Sequence, residues 1–107
     1  MAHTAVDELT GIVAIQPGAV VSKVIHRDEL LDVTVFGFDA GEGLTEHRAS
    51  RMAIVHVLQG RLRLTVDGVE LDAGPGFWLH MEQDAPHALE ALEPTLMLLT
   101  MVGRTEA

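Results

Sequence analysis

Cysteine is absent from the chain. Without a thiol there is no disulfide and no thiolate metal site, and cysteine usage says nothing about compartment. Basic residues are few: seven Lys and Arg stand against sixteen Asp and Glu, a formal net charge of −9 with histidines neutral. Lys23, Arg48, Arg51, Arg61 and Arg63 are interleaved with carboxylates and make no basic stripe. Nucleic acid needs such a stripe, so it is excluded as a partner. The opening MAHTAVDELTG lacks a basic region followed by an apolar run, so it does not read as a secretory signal. The longest apolar run, LMLLTMV from Leu96 to Val102, is too short to span a bilayer and reads as a buried strand. No membrane partner is expected, and the cytoplasm is the expected location. Also missing are a sustained helical period with caps, a G-x-S-x-G elbow, a P-loop and a Cys–His pair.

What remains is a short chain, 107 residues with 48% apolar and 21% charged residues. That length fits one domain, spanning 1–107 with a core over about 20–102, and the composition is that of a packed protein. The apolar pattern is one of short strands. AVVSKVI and DVTVFGFD come first; in the second, Val33, Val35 and Gly37 share one face and Thr34, Phe36 and Phe38 the other. MAIVHVLQ follows, broken by Gly60, and then RLRLTV, with Leu62, Leu64 and Val66 on one side. Asp67-Gly68 marks a type I′ hairpin turn, which needs positive φ at both central positions. VEL, FWLHM, HALEAL and TLMLLTMV complete the series. Residues 1–16 are weakly patterned, and VDELTGIVAI is read as a short turn and an edge strand; the closing GRTEA is expected to fray. Eight or so short strands separated by turn residues predict an all-β sandwich or barrel.

Two stretches carry the chemistry. GLTEHRASRMAIVHVLQG holds His47 and His56, and DAPHALEAL holds His87. They resemble the paired motifs of the cupin superfamily. The first family motif reads G, five residues, H-x-H, three or four residues, E, six residues, G. Aligned on Gly60, it places its leading glycine on Gly41, its histidine pair on His47 and Ala49, and its glutamate on Ala53. The second reads G, five residues, P-x-G, two residues, H. From Gly76 it falls on Glu82, Asp84 and His87. The resemblance covers about residues 20–102 and implies a double-stranded β-helix, a jelly-roll barrel of the small single-domain, conserved-barrel type. Family members with a full set hold iron, manganese, zinc or nickel through three histidines and a glutamate. This chain keeps His47 and His87 and has alanine at the other two ligand positions.

A metal in a β-barrel needs three or four donors aimed at one centre. The candidate metal ligands are His47, His87 and His56. His47 is placed on the inward register of Ala49 and Ala53, and His87 shares a face with Leu89 and Ala91. His56 has the opposite parity to Ala53 and faces away from the cavity unless a bulge intervenes. Glu46 is the nearest carboxylate. His80 shares the parity of Trp78, opposite the apolar Phe77, Leu79 and Met81. Met52, Met81, Met97 and Met101 read as core gap-fillers, Trp78 as a pocket or core residue, and Glu46, Arg48 and Arg51 as a solvated loop or a gate beside His47. His3 and His26 lie outside any motif.

Two functions are compatible with these residues. One is a barrel that binds a small molecule, with or without a divalent transition metal held by a reduced histidine set. The other is a mononuclear metal-dependent enzyme of dioxygenase, isomerase or lyase type acting on a small organic substrate. Both faces of MAIVHVLQ and of TLMLLTMV are largely apolar, which a single barrel interior does not explain, so a homodimer is expected.

Overall fold

The computed structural model describes residues 2–103; residues 104–107, most of the stretch expected to fray, lie outside them. Nine strands follow a 3-10 turn at Leu9–Gly11: β1 (Val20–Arg27), β2 (Leu31–Phe38), β3 (Gly43–Arg48), β4 (Met52–Gln59), β5 (Leu62–Val66), β6 (Val69–Ala73), β7 (Trp78–Met81), β8 (Pro86–Ala91) and β9 (Thr95–Val102). They form two antiparallel sheets, one of five strands in the order β1-β2-β9-β4-β7 and one of four in the order β3-β8-β5-β6. The chain is thus an all-β double-stranded β-helix.

Alternation decides which side chains fill the space between the sheets. On β4, Ala53, Val55 and Val57 are buried while Ile54, His56 and Leu58 between them are only half-buried. On β5, Leu62 and Leu64 are buried between exposed arginines. These residues join Phe38, Ala73, Met81, Leu89, Ala91 and Met97 in one core. Phe36 stacks on Phe38 with ring centroids 5.8 Å apart. Full burial of one such side chain contributes about 1.5–3 kcal/mol, and Phe38, Leu62, Leu64 and Met97 are the largest side chains fully buried.

The expected hairpin forms at Asp67-Gly68, where φ is 49° and 80°. The edge strand expected within residues 6–15 does not form. The turn does, but the segment then lies across the outer face of the five-stranded sheet on side chains alone. Val13 and Ile15 reach over Gly37, which has no side chain to obstruct them. No backbone hydrogen bond joins residues 2–15 to either sheet among the described residues. No helix among them is long and apolar enough to cross a membrane.

Candidate functional site

Two chain crossings between the sheets lie together at one end of the barrel. Residues 49–51 connect β3 to β4, and residues 82–85 connect β7 to β8. They are stapled to each other. Asp84 donates its backbone N–H to the Ala49 carbonyl at 2.9 Å, and Arg48 Nη1 donates to the Asp84 carbonyl at 3.0 Å. His47 ends its strand just before one crossing, and His87 opens its strand just after the other.

His47 and His87 are directly opposite each other in the β3–β8 ladder. Their rings meet edge to face, with centroids 4.2 Å apart and planes inclined at 62°. His87 is 9% exposed and shares its inner face with Leu89 and Ala91. His47 is exposed at the barrel mouth. A β-bulge puts it there. Between the Leu44–Leu89 pair and the His47–His87 pair, β3 advances three residues while β8 advances two. Leu44 packs on the core, so strict alternation would turn His47 outward; the extra residue turns it back. The inward placement expected for His47 is therefore correct for a different reason. Ala49 cannot set its register, because Ala49 belongs to the crossing and Ala53 to the other sheet.

Each imidazole is fixed in the same way. His47 Nδ1 lies 3.0 Å from the Thr45 carbonyl oxygen, and His87 Nδ1 lies 2.9 Å from that of Ala85. A carbonyl only accepts, so each Nδ1 carries the hydrogen and each neutral ring keeps its lone pair on Nε2. Neither Nε2 has a hydrogen-bond partner among the described residues. No buried side-chain nitrogen or oxygen among them is unsatisfied, so the unpartnered Nε2 of His87 keeps contact with solvent. The pair presents two open acceptors at the mouth.

On the inner face of the five-stranded sheet, Ala53 has Met81 on β7 and Met101 on β9 as its ladder partners. Met81 is 5% exposed and Met101 is half-buried. Asp32, the partner of Met101 on β2, takes a 2.7 Å ion pair from Arg51. That contact, more than any other, holds the Asp32 carboxyl below its ordinary value.

The other histidines do not join this end. His56 is paired with Trp78 and Leu98 on the outer face of the five-stranded sheet, its strand unbulged between Met52 and Val57. His80 is outward beside Ile54. His26 bonds Asp28 at 2.7 Å. Among the described residues, no three His, Cys, Asp or Glu side chains are grouped to hold an ion. The donor set accordingly does not fit the centre of three histidines and a glutamate that the resemblance implies: Ala49 and Ala53 supply methyl groups where two donors are needed. Two open hollows of about 420 and 450 Å³ lie away from the pair. One lies on the outer face of the four-stranded sheet at Thr45, Arg63, Thr65 and Glu90, the other between the N-terminal segment and β1–β2.

Two features of this end were not singled out from the sequence. Met81 and Met101 read as fillers, and only the strand order shows that they flank Ala53. Asp32 lies on a strand far from His47 in sequence, and nothing local signals its pairing with Arg51.

Comparison with known proteins agrees with the architecture. The family model of the cupin domain matches residues 34–103, and the chain belongs to the cupin family. It is similar to a conserved protein of unknown function from Streptococcus pyogenes at 32% identity, covering 100% of this chain and 93% of that one, with a TM-score of 0.86. A cupin 2 conserved barrel domain protein from Leptotrichia buccalis is 34% identical over 87% of this chain and 45% of that one, with a TM-score of 0.82. A cupin superfamily protein from Desulfitobacterium hafniense shares the fold, at 21% identity over 89% of this chain and 87% of that one, with a TM-score of 0.85. A search of curated protein sequences gave no match.

Proposed function

We propose that this cupin is a small-molecule-binding barrel whose recognition point is the His47–His87 pair. The carrying observation is that both Nδ1 atoms are committed to backbone carbonyls while both Nε2 atoms are open. Two fixed acceptors on rings whose centroids are 4.2 Å apart suit a ligand with two adjacent donors, a diol or amino alcohol, or a cation. Burial of His87 and the apolar wall of Val66, Leu89 and Met81 favour a ligand with one apolar side. A hard divalent metal would have only two protein donors here and would complete its shell with water, which makes it a weakly held guest rather than a resident cofactor.

The second reading, a mononuclear metal-dependent enzyme, draws on the same retained pair and lacks a third donor. A thermal-shift panel of diols, sugars, hydroxy acids and amino alcohols, run with and without chelator, tests the binding reading. At least one class should raise the melting temperature of the wild type and fail to do so for the His47→Ala, His87→Ala double variant. Equal shifts in both proteins would remove the histidines from the site.

A further inference from the structure

His26 lies outside both motifs, and the fold gives it a setting that the other outward histidines lack. It lines the hollow of about 450 Å³ between the N-terminal segment and β1–β2. A bulge turns it there. From the Val24–Thr34 pair to the His26–Val33 pair, β1 advances two residues while β2 advances one. Strict alternation would send Ile25 and His26 to opposite faces. With the extra residue, both line the same hollow.

The ring is held as well as aimed. Asp28 accepts from His26 Nε2 at 2.7 Å, and is itself fixed by the Leu30 and Leu31 amides at 2.8 and 3.0 Å. An ionised carboxylate only accepts, so Nε2 carries the hydrogen and the neutral ring keeps its lone pair on Nδ1. That Nδ1 has no hydrogen-bond partner among the described residues. The rest of the hollow is apolar. Ile25, Leu31 and Val33 line it from the sheet, Val6 and Leu9 from the segment, and Thr4 adds a hydroxyl at the rim. Farther along the outer face of β2, Val35 is fully buried and Val13 and Ile15 cover Gly37, whereas Leu31 and Val33 stay half-buried. The outer face of β2 is thus closed over one half and hollow over the other.

We infer that this hollow is a second small-molecule site, separate from the barrel mouth, for a neutral apolar alcohol or phenol whose single hydroxyl donates to His26 Nδ1. Its volume falls within the range of about 300–1,000 Å³ that small-molecule pockets take, and an apolar lining with one oriented polar group is their usual chemistry. Charge argues for a neutral occupant. Asp28 stands beside the ring, and Asp7 and Glu8 are exposed on the segment, so an anion is repelled. A cation would find the Asp28 carboxylate already engaged by three donors. The segment also offers a way in: with no backbone hydrogen bond to either sheet among the described residues, it opens at little cost.

The test is calorimetric titration of the full chain with carvacrol, an apolar phenol. Beside it are run its methyl ether, which cannot donate, and cuminate, a carboxylate of similar size. The wild type should bind one equivalent of carvacrol about three- to tenfold more tightly than the ether, the worth of one hydrogen bond, and cuminate more weakly than either. His26→Phe should bind the phenol and the ether equally. The His47→Ala, His87→Ala double variant should bind carvacrol as the wild type does, which keeps this site independent of the reading of the barrel mouth. Carvacrol should also slow deuterium exchange at the amides of residues 4–9. No binding by the wild type, with the hollow open or filled by a second copy, overturns the inference. Equal binding of phenol and ether by the wild type overturns it too, as does an unchanged preference in His26→Phe, checked for folding by circular dichroism. Loss of carvacrol binding in the double variant puts the phenol at the barrel mouth and overturns it as well.

Discussion

His47 faces His87 across a bulge: β3 carries one residue more than β8 between the Leu44–Leu89 pair and the histidine pair. Removing that residue should straighten the strand and keep the site. With Glu46 deleted, His47 would stand two residues after Leu44, as His87 stands two from Leu89, so alternation alone would keep the imidazoles opposite each other and ligand-induced thermal shifts are expected to survive. Glu46→Ala keeps the bulge and should also keep the shifts. A deletion variant that folds and no longer responds to ligand would show that the bulge itself shapes the site.

Acid should loosen the fold at two named carboxylates. Asp28 accepts a hydrogen bond from His26 at 2.7 Å and from the Leu30 and Leu31 amides at 2.8 and 3.0 Å. Its pKa is lowered from 3.8 to about 2, chiefly by the His26 bond and then by the two amides. Asp32 is lowered as well, first by its bond from Arg51. A carboxyl depressed in the folded state contributes stability that is complete above its unfolded pKa and is lost as pH falls through the folded one. The melting temperature should therefore fall between about pH 4 and pH 2, and less steeply in Asp28→Asn and Asp32→Asn. Melting curves at half-unit pH steps check this; slopes identical to wild type in both variants would contradict it.

Glycine is required at two turns for different reasons. At Gly68 φ is 80°, with open space around the position. Gly68→Val should therefore cost only the backbone strain, on the order of 1–3 kcal/mol. At Gly60 φ is 89°, and an added Cβ would also collide with the Pro94 carbonyl and with Thr95. Thr95 is fully buried, and its hydroxyl accepts from the Arg61 amide and donates to a backbone carbonyl. Gly60→Ala should cost about 3 kcal/mol or more. Urea midpoints rank the two, and Gly68→Val falling below Gly60→Ala in stability would reverse the argument.

The outer face of the five-stranded sheet is where a homodimer is expected. Ile54, Leu58 and Leu98 point outward and are half-buried, and Trp78 beside His56 is 59% exposed. A specific interface of standard size covers about 800 Å² per partner, with aromatic anchors near its centre. Light scattering should give twice the chain mass, and Trp78→Glu should reduce it to one. A wild-type mass of one chain at every concentration would leave the apolar face unexplained.

The barrel was legible in the sequence because alternation is a local signal. MAIVHVLQ and TLMLLTMV match β4 and β9 residue for residue, and Asp67-Gly68 is a type I′ turn as read. β3 was the strand not singled out, since Thr45, Glu46, His47 and Arg48 are all exposed and carry no apolar period. Its identity depends on pairing with β8, some forty residues away, and sequence periodicity cannot register that. The outward placement of His56 followed from parity. The placement of His47 did not, because a bulge changes parity without leaving a mark in composition. The edge strand expected near the N-terminus fails for a related reason: its apolar residues pack well enough through side chains that no ladder is needed.

That side-chain attachment separates two quantities that usually travel together. Residues 2–15 partly shield their apolar groups against β1 and β2, yet their amides make only the local bonds of the Leu9 turn. In deuterium exchange they should label within the shortest mixing times, while the amides of β2 and β9 beneath them stay protected to global unfolding. A protease would meet the same contrast: a segment that contributes to packing yet offers an extended backbone ready to enter a cleft, so that trimming exposes the outer sheet face and leaves the barrel mouth intact.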